Sequence, residues 1–454
     1  MADPKDLRIV IVGAGMGGLG TALAFAKKGF KHIDVYENAP NLGFVGAGIQ
    51  MPPNVARVLD RLGVWDEIVA EATDVQGTSI REGSTDEELS HVAMPNMREK
   101  YGYPHCTGHR ASLAGGMYAG CQREPAITFH FSHTLLRIDS YAPTALLTFQ
   151  PGTAPNTPSI QVRADVVLAA DGIKSVTRTQ MLASLSLTTT ESDTGQAAYR
   201  IMLPRAAMAH DPSLLALLDS STVVRWIGPR RHIIAYPVSD HTIYNLSTAQ
   251  PDDAFASATN ATYTTRGAKA QMRAVYADFC PLVQRMLDLV PGDDVVEWKL
   301  RTYEELATWT RGCVALVGDA CHPTLPHLSQ GAAMAVEDAA VLAECVGRVP
   351  VGGGPEAVAR ALKVYEMLRK PRTSELVELA AHSGRVLHLG EGQAREERDR
   401  LFRDNGRGGS VPDKWASPDV QQMIYSHDCV KDAEERFDEL YAGLQDGDGP
   451  AGKL

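Results

Sequence analysis

The run Leu7-Arg8-Ile9-Val10-Ile11-Val12 leads straight into Gly13-Ala14-Gly15-Met16-Gly17-Gly18, and this junction restricts the chain more than any other feature. A short, β-branched apolar run reads as a buried strand. G-x-G-x-x-G between such a strand and a small-residue helix is the turn of a dinucleotide-binding βαβ unit. Gly13 permits the tight turn, Gly15 lets the backbone approach a pyrophosphate, and Gly18 lets helix and strand pack closely. The helix is predicted over 16–29 and ends at Lys27-Lys28-Gly29. Its N-terminus offers unpaired N–H groups to phosphate. Residues 32–37 read as the second strand, closed by Glu37. A carboxylate there accepts both hydroxyls of an adenosine ribose and repels a 2′-phosphate, so FAD or NAD is expected at this turn rather than NADP.

Two more acids stand at the ends of apolar runs. Asp171-Gly172 follows Asp165-Val166-Val167-Leu168-Ala169-Ala170, and Gly318-Asp319 follows Cys313-Val314-Ala315-Leu316-Val317. Open α/β sheets place ligands at such strand ends. Gln330-Gly331-Ala332-Ala333 opens a long small-residue helix at 331–347. Elsewhere the pattern predicts a helix pair around Gly63, strands within 75–105, a helix over 111–123 and a hairpin at 144–163. It continues with strand alternation through 195–249, helix around 265–290 and helix over 355–385. A loop or disordered stretch is predicted at 403–418, then a polar helical tail over 419–445 with the last nine residues frayed.

These three motifs, in this order, resemble the flavoprotein aromatic hydroxylases of the salicylate hydroxylase and 4-hydroxybenzoate hydroxylase type. The resemblance spans roughly residues 7–350. It implies an α/β fold: a Rossmann-like FAD-binding domain of the GR2 type, an inserted mixed-sheet substrate domain and a helical C-terminal region. The expected divisions are 1–75, 105–185 and 305–350 for FAD, 76–104 and 186–304 for substrate, and 351–454 for the helical region. By the same resemblance Asp319 holds the ribityl chain. The helix start at Ala332 faces the flavin N1/C2 side, where a helix dipole stabilises the negative charge of reduced flavin. Asp171 serves both FAD and the incoming nicotinamide. Arg110, in His109-Arg110 followed by Leu113, contacts FAD, and Gly48 in Gly46-Ala47-Gly48-Ile49-Gln50 supplies a backbone contact. No second glycine-rich unit exists for NADH or NADPH, which fits a family in which NAD(P)H is a transient visitor.

The implied activity is an FAD-dependent monooxygenase that uses NAD(P)H and O2 to hydroxylate a phenolic aromatic acid such as a hydroxybenzoate or salicylate, with or without decarboxylation. Hydroxylation or epoxidation of a phenolic secondary metabolite is the alternative. His232, Ile234 and Tyr236 alternate onto one strand face, and His232-x-x-x-Tyr236-Pro237 resembles a segment that the hydroxylases carry over the flavin. His232, at its ordinary pKa near 6.5, is expected to accept the phenol proton, with Tyr236 beside it. Arg200 is expected to pair with a carboxylate or phenolate. Pro326 and Gln330 are expected to line the cavity. Arg225-Trp226 is a weaker candidate, and His322 and His327 read as structural. A halogenase would show W-x-W-x-I-P, which is absent. A flavin-free binding module, as in the Rab GDP-dissociation inhibitors, would not need both acidic turns.

The net charge of −11 argues against nucleic acid as a partner. Seven scattered cysteines, with no C-x-x-C, read as free buried thiols rather than disulfides or metal ligands, and no metal is expected. No apolar run is long enough to span a bilayer, so a soluble cytoplasmic protein is expected. Gly452-Lys453-Leu454 is one residue away from a peroxisomal S-K-L address. A homodimer is compatible with these features.

Overall fold

The computed structural model describes residues 3–43, 46–152, 157–255, 263–404 and 412–446. The Gly452-Lys453-Leu454 terminus, the end beyond residue 446 where fraying is expected, and the centre of the expected 403–418 loop lie outside the described residues.

The opening strand β1 (Arg8–Val12), helix α1 (Met16–Lys27) and strand β2 (His32–Tyr36) form the predicted unit. With β3 (Val166–Ala169) they belong to a six-stranded sheet. Its order is Thr310–Arg311, Val314–Leu316, β3, β1, β2, Ile127–His130, and every pair is parallel except the 310–316 edge. After the exposed Arg8, β1 is apolar from Ile9 to Val12 because both faces are covered there. Ile9 and Ile11 pack with Leu19, Leu23 and Phe25, whereas Val10 and Val12 pack with Leu135, Leu147 and Phe149. The second set belongs to a three-stranded antiparallel sheet that contains the predicted hairpin. Helix α2 (Val176–Ser184) follows β3, and Asp171 sits in the loop between them.

A second, eight-stranded sheet includes β4 (Thr222–Gly228), β5 (Arg231–Val238) and β6 (Ile243–Pro251). Residues 77–93 add two strands, the first parallel to β4, and Glu191–Pro204 pairs with β6. Ile233 and Ala235 face a core with Leu214, Met272 and Met286. His232, Ile234 and Tyr236 face the other way, as the alternation predicts.

Helix α3 (Gly331–Gly347) lies against α1, and the 34-residue α4 (Gly354–Leu387) packs on α3. Three readings need correction. The strand pattern over 195–249 is interrupted by helices Arg205–Met208 and Pro212–Asp219. Asp211 starts the second of these by accepting the N–H groups of Ser213 and Leu214. The 265–290 helix is a strand, Thr264–Ala268, followed by two helices. Within the expected 403–418 loop, Asp413 and Trp415 are buried. All seven cysteines are free and buried. Among the described residues no helix is long and apolar enough to cross a membrane.

Candidate active site

A cavity of 390 Å³ lies where the glycine-rich turn, the Gly318-Asp319 turn and the start of α3 meet the inner face of the eight-stranded sheet. Of the residues expected there, Gly15, Gly48, Arg110, Arg200, His232, Tyr236, Asp319, Pro326, Gln330 and Ala332 line it. Gly13, Gly18, Glu37 and Asp171 do not.

Those four build the site from behind. A Cβ on Gly13 would stand 2.5 Å from the Ala170 carbonyl oxygen, and one on Gly18 would stand 1.9 Å from the Gly13 oxygen. A Cβ on Gly15 meets nothing within 4 Å, which leaves that position for a ligand. Glu37 accepts the N–H groups of Ala14 (2.7 Å) and Ala39 (2.8 Å), which fixes its carboxylate beside the turn. Asp171 accepts the Ser175 hydroxyl (2.6 Å) and the Thr177 N–H (3.0 Å). Its carboxylate caps α2, and its neighbour Gly172 lines the cavity in its place. Arg178 then ties this loop to the other acidic turn, donating to Ile173 O (2.6 Å) and Ala320 O (3.1 Å).

Helices α1 and α3 both start at the cavity, with no side-chain cap and no acid in the first turn. Unpaired N–H groups at two helix starts suit a pyrophosphate and the electron-rich edge of a flavin. Gln330 does not fold back onto α3, because its Oε1 accepts from Asn54 Nδ2 at 3.0 Å. Asp319 and Arg110 share the space between. Enclosure raises the Asp319 carboxyl, against the pull of His322, Arg110 and Arg178, and it lowers the Arg110 guanidinium. Both side chains still reach water through the cavity. Glu37, Asp319, Arg110 and the two helix starts therefore fit FAD.

The sheet register assembles the rest. Arg200 pairs across with Ser247, Ser247 with Ile234, and Ile234 with Arg225, so the four side chains form one row on the cavity face. Tyr236 pairs with Asn245, whose Oδ1 accepts the Gly48 N–H at 2.7 Å. Gly48 thus makes its close contact with the sheet. The reading of His232 as a base at its ordinary pKa is corrected. Burial, then the charges of His388, His327 and Arg225, hold it well below that value, so it is neutral. Burial raises the Tyr236 hydroxyl, against the attraction of Arg200.

The sequence profile described as an FAD binding domain matches residues 6–380. The chain belongs to this family of FAD-dependent monooxygenases. An FAD-dependent monooxygenase of Beauveria bassiana is 31% identical over 95% of this chain and 97% of its own. A 3-hydroxybenzoate 6-hydroxylase of Polaromonas naphthalenivorans is 28% identical over 93% and 96%. A solved salicylate hydroxylase in complex with substrate has the same fold, with a TM-score of 0.74 and 21% identity over 95% of this chain and 98% of that one.

In this monooxygenase the cavity wall, and the layer packed behind it, hold residues that the sequence motifs did not single out. Arg225 is buried against Asp413 at 2.7 Å, with its guanidinium over the Trp415 ring at 5.9 Å. Its place was legible in part: a two-residue turn after Gly228 sets the β4–β5 register and puts Arg225 beside Ile234. His327 is no mere structural histidine, since its ring lines the cavity and lies 5.5 Å from that of His232. His388 had no sequence signal at all. The spacing also missed Cys321, His322 and Asp338, which come within 4.8 Å of one another. The Asp338 carboxylate is already taken by His322 (2.6 Å), Arg369 (2.8 Å) and the Gly318 N–H (3.0 Å).

Gly384 lets α4 pass His327. A Cβ there would stand 2.6 Å from His327 Cδ2 and 2.8 Å from Nε2. Gly384→Ala is expected to lower stability by about 1–2 kcal/mol, the overpacking outweighing alanine's helix preference. A lower denaturation midpoint and a raised substrate KM, with FAD content unchanged, check this. An unchanged KM would show that the His327 ring does not meet substrate.

Proposed function

We propose that this monooxygenase hydroxylates a phenolic aromatic acid of the hydroxybenzoate or salicylate class, with NADH or NADPH as reductant. One observation carries the reading. Among the described residues, Arg200 makes no salt bridge, yet it shares the cavity with His232 and Tyr236. Arg225 already has Asp413. Arg200 is therefore the cation left for a substrate anion, and its guanidinium is steadied over the Trp298 ring at 5.3 Å. Enclosure and the neighbouring Arg110 charge both lower its pKa, so a carboxylate relieves repulsion there. The names of the relatives, a hydroxybenzoate hydroxylase and a salicylate hydroxylase, support the same substrate class.

When bound, FAD supplies hydride acceptance and oxygen activation. The protein orients the ring. Arg200 holds the acid group, while His232 and Tyr236 contact the ring oxygen. The sheet excludes water from one side and the start of α3 from the other.

The test is NADH and NADPH oxidation by the FAD-loaded protein across a panel of hydroxybenzoates, with product masses. The expected result is coupled turnover of an acid with gain of one oxygen, or with loss of CO2 if the carbon bearing the carboxylate is attacked. Arg200→Met is expected to raise KM for the acid about 10–100-fold, the loss of one charge-assisted hydrogen bond. Turnover of neutral phenols as good as that of acids, unchanged by Arg200→Met, would replace the acid with a neutral phenolic metabolite.

A further inference from the structure

His232 is held from behind by the C-terminal helical region. Its Nδ1 lies 2.6 Å from Nε2 of His388, the residue that caps the C-terminal end of α4. Among the described residues no protein group bonds the other ring nitrogen of His232, which belongs to the cavity wall. Both rings are neutral near pH 7. Burial dominates, and Arg225 and Arg398 add to it at His388, which is lowered to about 4. One hydrogen bond between two neutral imidazoles leaves two possible proton arrangements, and each sets what His232 shows to the cavity.

In the first, His232 donates through Nδ1–H. His388 must then carry its proton on Nδ1, and that atom is buried without a partner. An orphaned N–H would stand in the positive field of Arg225 and Arg398. In the second, His388 donates through Nε2–H, and a lone pair occupies its Nδ1. A lone pair is favoured by the same positive charges, and an unpaired acceptor is better tolerated in proteins than an unpaired N–H. The second arrangement wins. His232 then has its proton on Nε2, directed away from His388.

Resting on the phenolic-acid reading above, we infer that His388 is a positioning residue: it fixes His232 as an Nε2–H donor, so the cavity selects the ring in its deprotonated, phenolate form. The phenol proton leaves for solvent on binding and is not stored on His232. His327 flanks both rings, at 5.5 Å from His232 and 5.4 Å from His388, and adds no acidic group that would stabilise an imidazolium.

The experiment titrates 4-hydroxy-3-nitrobenzoate bound to the FAD-loaded protein, reading nitrophenolate absorbance by difference. In the wild type the bound phenol is expected to ionise at least about one unit below its value in water, a tenfold change. His388→Phe is expected to abolish that shift, and His388→Gln, which can donate from the same reach, to restore it. His388→Asn, polar but too short to reach Nδ1, replaces phenylalanine if that variant loses FAD. An equal shift in wild type and His388→Phe or His388→Asn overturns the role of His388 alone. A bound phenol that ionises above its value in water overturns the donor assignment. No binding by the wild type overturns the phenolic-acid reading, and this inference with it.

Discussion

Gly18→Ala is expected to give a colourless protein. The added Cβ would stand 1.9 Å from the Gly13 carbonyl oxygen, and Gly13 cannot retreat. It adopts φ +95°, and its own Cα hydrogen already points at the Ala170 carbonyl, 2.5 Å from where a Cβ would sit. Neither neighbour is a flexible side-chain end, so the start of α1 must swing away from β1. The Ala14 N–H would then lose Glu37. A backbone displacement of this kind costs about 3 kcal/mol, or about 100-fold in FAD affinity. The ratio of flavin to protein absorbance after purification and the Kd for added FAD check it. Gly15→Ala is the matched control. Nothing lies within 4 Å of its Cβ, so the fold and melting behaviour of the apoprotein should match wild type while FAD binding weakens. Full FAD retention by Gly18→Ala would show that the turn does not hold the pyrophosphate.

Arg369→Met is expected to destabilise the protein by about 3–5 kcal/mol, because it leaves two buried carboxylates short of their counter-ion. Arg369 contacts Glu337 and Asp338, each at 2.8 Å, and all three side chains are at most 1% exposed. Burial alone would raise both carboxyls. Arg372 and Arg369 around Glu337, and His322 and Arg369 around Asp338, outweigh it and hold both below the usual carboxylate range. A depressed folded-state pKa adds stability above the unfolded value of about 4 and loses it as pH falls through the folded value. Without Arg369 the balance tips toward burial. The Asp338 carboxyl rises, and its contribution is lost as pH rises through the new value. The deficit against wild type should therefore be largest near neutral pH and shrink toward pH ~5. Urea midpoints at the two pH values measure it, and a pH-independent deficit would reduce Arg369 to a packing role. The site should feel the change as well. Asp338 accepts the Gly318 N–H, and Glu337 shares Asn54 with Gln330 at the start of α3, so FAD should dissociate more readily.

The cofactor half of the site was largely legible because it is local. Strand, glycine turn, helix and closing acid follow one another within the first forty residues, and each later acidic turn carries its own strand. Even so, sequence did not separate residues that face the ligand from residues that hold the turn. Asp171 and Asp319 look alike as acids after strands, yet Asp171 caps α2 and Asp319 faces the cavity. The substrate half was legible where period-2 alternation alone decides a face, as for His232 and Tyr236. It was not legible where the partner lies far along the chain. Asp413 reaches Arg225 across 188 positions and His388 reaches His232 across 156, both from a helical region whose docking no local pattern encodes.

By itself, the sequence determined the βαβ opening, the expectation of FAD or NAD rather than NADP at the glycine turn, and the face of the sheet on which His232 and Tyr236 stand. These follow from backbone sterics, charge and strand periodicity, which act over a few residues. Tertiary structure alone decided the electrical state of the cavity. Burial beside Arg225, His327 and His388 keeps His232 neutral, and Asp413 cancels Arg225 while Arg200 has no counter-ion among the described residues. A side chain's charge depends on its surroundings in space, and here two of the deciding neighbours, His388 and Asp413, come from far along the chain.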